Sequence, residues 1–521
     1  MAKSRTENSI RNTGFALLGQ ASAIILSFIT RTVFIQNLGA SYLGINGLFT
    51  NILSVLSFAE LGFGTAIIYA MYKPLAENDQ KQIAALMHFY SRIYRFVGIF
   101  VLTAGCCLIP VLPFLVGDVS GIPPDLPPLW VVYLLFLLNS SASYFFNYKR
   151  SIILASQNGH IDSLNTLTFN LLRNVLQIVV ILVWNAYILF LVVQILCTFL
   201  GNVCISVKAD KLFPYLKEHR NEKLDKKSLR SILKNVLAMA CHKLGSVVVS
   251  GTDNILISMF VGVAATGYYS NYTLVTSTVR SFYLQLFSPV TASVGNLVAE
   301  KSSEESYLFF KKLLFINAYI AVFCTTCLTT LINPFIAVLW GSEYEFPFYI
   351  VAFLMLNFFV TCMRQSSCMF IDASGLFWQV RWKSVLEAVI NLAASVLLAR
   401  TFHLGIFGVV AGTTISTLTT NFWWEPYAVF KYAFGKKLRY YFADYLKYAL
   451  PMFLVIAVTM LAEYYLPVTL WAFLLRCVIS AVIPVAMMYV FFHHTSEYRY
   501  MLSLVRTVLK KLSKGRTKQH P

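Results

Sequence analysis

The sequence predicts an all-α polytopic membrane protein, with about 14 transmembrane helices arranged as two parallel six-helix lobes plus two C-terminal helices. Three observations predict it: a succession of long apolar segments, an alternation of positive charge between their connections, and a repeat at one fixed offset. The segments cover 13–36, 44–72, 96–117, 129–155, 160–184, 186–207, 236–260, 267–299, 313–340, 346–372, 379–401, 405–430, 448–466 and 468–492. A helix needs about 20 apolar residues to cross a bilayer, and most of these segments reach that length. The odd-numbered connections (37–43, 118–128, 185, 261–266, 341–345, 402–404 and 467) contain no Lys or Arg. The even-numbered ones and both tails hold nearly all the rest, including nine between Lys208 and Lys234. Lys and Arg accumulate in cytoplasmic loops, so both termini are expected in the cytoplasm and the number of spans is even.

Composition narrows the class further. Hydrophobic residues make up 58% of the chain and charged residues 12%, about half the share in soluble domains. Mean hydropathy is +0.66. The net charge of +19 belongs to topology rather than to nucleic acid, because the basic loops match a leaflet of anionic lipid. The tail residues Arg506, Lys510, Lys511, Lys514, Arg516 and Lys518 suit an interfacial anchor. No cleavable signal peptide is expected, since the first apolar run is long and interrupted by Arg31. Most of the ten cysteines lie inside apolar segments, where they behave as small hydrophobes. Cys324 and Cys327 form a CxxC without a His or acidic neighbour, so neither a metal site nor a cofactor is expected. No GxxxxGK[ST] loop points to nucleotide-driven transport. The longest outer connection, 117–128, offers only Asp118 and Asp125 and no histidine, which leaves a polymerase or ligase short of catalytic groups.

A second copy of the chain begins 223 residues on. Gly39 and Gly44 recur as Gly262 and Gly267, Asn12 as Asn235, and Leu75-Ala76-Glu77 as Val298-Ala299-Glu300. The spans superpose as well, 96–117 on 319–340 and 186–207 on 409–430. Each copy holds six spans, an even number, so both start from the same side and are related by an axis along the membrane normal. The expected organisation is an N-terminal lobe over 1–207, a basic linker over 208–234 and a C-terminal lobe over 235–435. Two additional helices over 436–494 and a basic tail over 495–521 complete it. Such repeats place a substrate site between halves that rock against one another.

Charges inside the segments mark candidate site residues: Arg31, Arg173, Lys243, Arg280, Arg364 and Arg476 against Glu60, Asp253, Glu387 and Glu425. Each costs about 2.5–3.5 kcal/mol at the bilayer centre, so each marks a pathway or a pair. Arg280 lies 13 residues into its segment, about 20 Å along a helix, and Arg173 and Glu60 are similarly central. Arg31, Lys243 and Arg476 lie closer to an edge, where a long stem lifts the charge to the interface. Glu387 and Glu425 sit toward the cytoplasmic ends, as partners for nearby basic residues. Shifted by 223, Arg31 meets Asn254, Asp253 meets Thr30, Glu60 meets Tyr283 and Arg280 meets Ser57, so the cavity is expected to be asymmetric. Basic groups outnumber acids, which suits an anionic head group, and an arginine fork matches phosphate oxygens. Arg31, Arg173, Arg280 and Arg364 are therefore the substrate-binding candidates, and Glu60 and Asp253 the candidates for a coupling Na+ or H+.

Arg31 followed by Asn37-Leu38-Gly39 and Tyr42-Leu43-Gly44 resembles the end of the first helix in bacterial polysaccharide and oligosaccharide flippases. These are members of the multidrug/oligosaccharidyl-lipid/polysaccharide exporter superfamily. Glu60-Leu61-Gly62-Phe63-Gly64 is similar to the acidic-Leu-Gly stretch of that family's second helix. Asn391 and the run from Leu404 to Thr413, with Gly405, Gly408 and Gly412, resemble its helix 11–12 signature. The resemblance spans about 10–495 and includes the 14 helices. It implies a transporter of the bacterial cell membrane, not an enzyme, that flips an undecaprenyl-diphosphate-linked oligosaccharide from the inner to the outer leaflet by alternating access. The process served is cell-surface polysaccharide biosynthesis, with the lipid bilayer and polysaccharide assembly proteins as partners. By motif, Arg31 alone of the basic candidates carries over. A cation-coupled drug antiporter of the same superfamily is the alternative; it expects an acid-dominated cavity, which Arg173 and Arg280 oppose. A membrane-embedded polysaccharide polymerase or ligase is the second alternative.

Overall fold

The computed structural model describes residues 5–60, 63–117, 125–156, 158–219 and 251–516, with scattered positions between 222 and 236. Leu61, Gly62, Asp118, Asn235, Lys243 and most of the basic connection beyond 219 lie outside the described residues. Every apolar segment carries helix, seen in 236–260 over its described residues from Gly251 onward, and no strand occurs among the described residues. Nine of the described helices are long and apolar enough to cross a membrane by length and composition alone, and shorter apolar helices join them. The protein is an all-α, multi-pass membrane protein.

By contacts the chain divides into two compact units, Met1–Ser270 and Asn271–Pro521. The first contains α1 (Arg5–Leu38), α2 (Ala40–Leu56), α3 (Phe63–Glu77) and α4 (Gln80–Cys107). It continues with α5 (Leu129–Asn147), α6 (Gly159–Trp184), α7 (Tyr187–Leu212) and the start of α8 (Val263–Glu300). Here α6 packs along α1 and α7, while α5 lies against α4 and α7. Asp79 caps α4, its side chain accepting from the Gln82 amide at 3.0 Å.

The repeat appears in this unit as a reciprocal contact. Gly39 and Gly262 precede α2 and α8 with φ of +86° and +117°, a region that glycine enters without a Cβ penalty. Five residues later, a Cβ on Gly44 would lie 1.8 Å from the carbonyl oxygen of Val263. A Cβ on Gly267 would lie 2.3 Å from that of Ala40. Ala40 and Val263 are the first residues of their helices and themselves stand one repeat apart. Two helix starts therefore touch backbone to backbone, each using the other copy's glycine.

The second unit centres on α9 (Ser303–Trp340), 38 residues or about 57 Å long. It begins with a capping box, in which Ser302 Oγ accepts from the Glu305 amide and the Glu305 carboxylate accepts from the Ser302 amide. Around it lie α10 (Phe348–Met363), α15 (Arg439–Glu463), α16 (Leu470–Phe492) and α17 (Ser496–Arg516). Between them in sequence come α11 (Gln365–Ser374), α12 (Lys383–Val396), α13 (Gly405–Thr419) and α14 (Asn421–Ala428). The glycine run of α13 is a packing surface: a Cβ on Gly408 would meet the Ala399 amide nitrogen at 2.6 Å, and one on Gly412 the Ser395 Oγ at 2.3 Å. The two additional helices α15 and α16 are stapled by charge. Arg476 Nη1 lies 3.4 Å from Glu463 Oε2 and its Nη2 donates to the Leu466 carbonyl. Ser480 donates to Glu463 Oε1 at 2.5 Å and stands 2.7 Å from Thr330 on α9. Arg476 thus holds the connection between α15 and α16.

Candidate functional site

In the first unit the charged candidates sit where helices are interrupted or cross. Helix α2 stops at Leu56 and passes through a 3-10 turn, Ser57–Glu60, before α3 begins at Phe63. Ser57 Oγ donates back to the Leu53 carbonyl at 2.8 Å, a bond that competes with the helix ladder at this point. The interruption carries Glu60, which accepts a hydrogen bond from the Tyr94 hydroxyl of α4. Tyr90, Tyr94 and Tyr144 gather beside it, with ring centroids 4.3 Å apart for the first pair and 5.8 Å for the second. Gly64 makes room for them, since a Cβ there would come within 3.1 Å of the Tyr90 hydroxyl. Arg31 on α1 donates through Nη2 to Ser270, and its neighbour Thr30 donates to Asn174 of α6 at 2.8 Å. Asp253 Oδ2 accepts from the Tyr269 hydroxyl at 3.0 Å. Both acids expected to couple an ion or proton therefore face a tyrosine.

Arg173 lies at the middle of α6, half-buried, on the wall of a cleft of about 180 Å³ between α6 and α7. It makes no hydrogen bond or ion pair among the described residues. At one end of the same cleft Arg150 is held by Asp162, with Nε 2.5 Å from Oδ1, and by Thr166 at 3.1 Å.

In the second unit the two remaining arginines differ. Arg280 lies 17 residues into the 38-residue α8, exposed, and without a hydrogen bond or ion pair among the described residues. Arg364, at the joint between α10 and α11, grips Glu425 with both fork nitrogens, at 2.8 and 2.7 Å. Lys383 binds the same carboxylate at 2.5 Å, and Glu425 is only 2% exposed. Two cations thus share one buried carboxylate, and Arg280 lies near enough to feel Arg364 as a like charge. Asn421 donates to Glu387 beside them.

The structure therefore places Arg280 and Arg364 in one neighbourhood of the second unit, and Arg31, Arg173, Glu60 and Asp253 at separate points of the first. Sequence reasoning missed Tyr94, Tyr269, Ser270, Arg150 and Lys383. Lys383 carried a signal, because an acid inside an apolar segment, as Glu425 is, demands cations and Lys383 opens the neighbouring apolar helix. The tyrosines carried none, being neutral and common. Among the described residues no group of three or more His, Cys, Asp or Glu side chains is placed to hold a metal ion.

No protein-family model matches the sequence, and no curated protein is similar to it by sequence. Solved structures do match. The lipid II flippase MurJ in an inward closed conformation superposes with a TM-score of 0.63 at 17% identity, covering 92% of this chain and 98% of that one. An inward-facing multidrug resistance MATE family transporter of the MOP superfamily gives 0.59 at 14% identity, covering 81% and 98%. An outward-facing structure of a MATE family transporter gives 0.56 at 15% identity, covering 81% and 95%. Identities this low speak for architecture, and the architecture is the one expected from the motifs around Arg31, Glu60 and Asn391: this chain has the helical fold shared by MATE transporters and the MurJ flippase.

Proposed function

We propose that this protein is a transporter that flips an undecaprenyl-diphosphate-linked oligosaccharide from the cytoplasmic to the outer leaflet of a bacterial cell membrane. It works by alternating access, with both termini in the cytoplasm, and serves cell-surface polysaccharide biosynthesis. Arg280 carries the reading. A guanidinium halfway along a 38-residue helix, exposed and unpaired among the described residues, is too deep to reach an interface and too costly to face lipid. It needs a polar path and an anion. The described acids of the membrane segments are engaged: Glu60 and Asp253 by tyrosines, Glu387 by Asn421, Glu425 and Glu463 by cations. What is left open is positive charge at Arg280 and Arg173, and an arginine fork fits a diphosphate.

Fold coverage supports the same choice. The MurJ superposition covers 92% of the chain where the MATE structures cover 81%. In this reading Arg31, Arg173 and Arg280 meet the head group in turn, Arg364 keeps the local charge positive, and Glu60 and Asp253 take the coupling Na+ or H+. The test is flipping of a fluorescent undecaprenyl-diphosphate oligosaccharide in proteoliposomes. Wild type is expected to flip it, and Arg280→Ala to be slower by roughly 10- to 100-fold, the worth of a hydrogen bond to a charged group. An inert wild type that instead exports organic cations against a sodium or proton gradient would replace this reading with the antiporter.

A further inference from the structure

A polar stripe runs down one face of α6. Asp162, Asn165, Thr166, Phe169, Asn170 and Arg173 follow one another at intervals that stack side chains on one side of a helix. Together they form one wall of the cleft, the facing wall being residues 197–205 of α7. The space is built rather than left over. Gly201 lets the Phe169 ring lie against α7, where a Cβ would stand 3.2 Å from that ring. Asn165 Nδ2 donates to the Gly201 carbonyl at 3.1 Å, tying the two walls together. Arg150 is already spoken for by Asp162 and Thr166.

Arg173 is the member left over. It stands 14 residues from the first residue of α6 and 11 from the last, about 16–21 Å from either end, beyond the reach of its own stem. An open cation amid amides, hydroxyls and one aromatic ring has a specific complement. The guanidinium takes an oxyanion, the amides of Asn170 and Asn202 and the hydroxyl of Thr198 take hydroxyl groups, and the flat ring of Phe169 takes the apolar face of a sugar. Size narrows it further. At about 180 Å³ the cleft falls below the roughly 300–1,000 Å³ of drug-sized sites, so it holds one ring and not a whole oligosaccharide.

We infer that this cleft is a subsite for a single sugar ring bearing an oxyanion, anchored by Arg173 and stacked on Phe169. The oxyanion has two sources, the phosphate joining a glycan to its lipid or the carboxylate of an acidic sugar within the glycan. The inference rests on the flippase reading and deepens it, giving the head group a station inside the first unit.

Binding to the purified full-length chain in detergent tests it, with glucose 1-phosphate, glucuronate, glucose and inorganic phosphate as probes in saturation-transfer NMR titrations. At least one charged sugar is expected to bind, and which one identifies the source of the oxyanion. Arg173→Gln is expected to weaken it roughly tenfold or more, Asn202→Ala severalfold, and Lys73→Gln on an exposed surface not at all. Neither charged sugar binding wild type, equal binding by both cleft variants and wild type, or inorganic phosphate binding as tightly as the sugar phosphate would each overturn the subsite. Unfolding midpoints of both cleft variants report folding. Flipping separates the two ideas: charged-sugar binding at the cleft without lipid flipping keeps the subsite and removes the flippase reading. Flipping without any charged-sugar binding does the reverse.

Discussion

Glu425 is the residue on which charge balance in the second unit depends. Arg364 and Lys383 both lean on its carboxylate, which is 2% exposed, so neutralising it strands two cations in a dry place. Glu425→Gln is expected to destabilise the protein by about 3–5 kcal/mol, the range for breaking a buried pair from one side. Thermal unfolding in detergent reads the loss, and a variant melting with wild type would show that the cluster is hydrated and weak. The contrast with Arg280 shows what a sequence can tell about single residues. Depth is counted along one helix, so Arg173 and Arg280 stood out as charges with nowhere to go. Pairing is a tertiary fact. Arg364 finds its partner 61 residues away across a fold, and nothing in its own segment distinguishes it from Arg280.

At the scale of elements, apolar length was legible and interruption was not. The segment 44–72 reads as one continuous run, yet it breaks at Ser57–Glu60. No proline marks the spot; the break comes from a serine bonding back to its own helix and from the weak helix preference around Gly64. The stapling of α15 and α16 through Glu463 was equally hidden, because that carboxylate looks like a loop residue at a segment's end. Local signals at helix starts are simpler. Ser302 and Glu305 make the reciprocal cap of α9, and Ser302→Ala is expected to remove about 1 kcal/mol of stability. Denaturant unfolding checks it, with Ser302→Thr, which keeps a capping hydroxyl, as the control; equal losses from the two would deny the cap its role.

For the whole molecule, periodicity and charge asymmetry sufficed to predict an all-α membrane fold, because lipid leaves a chain with few alternatives to helix. The repeat added that the molecule is two variations on one plan, but sequence identity at five positions did not say where the copies touch. They touch at Gly44 and Gly267, each facing the first carbonyl of the other's helix. Reciprocity of this kind has a thermodynamic signature. An alanine at either glycine forces the same pair of backbones apart, at a cost of about 1–3 kcal/mol. Once parted, the helices have already made room for the second methyl. Gly44→Ala and Gly267→Ala should therefore be strongly non-additive, the double variant falling short of the summed losses by roughly 1 kcal/mol or more. A double-mutant cycle on unfolding midpoints measures that coupling, and losses that simply add would mean two separate constraints where the geometry draws one. Either glycine, once lost, weakens the selection that keeps the other.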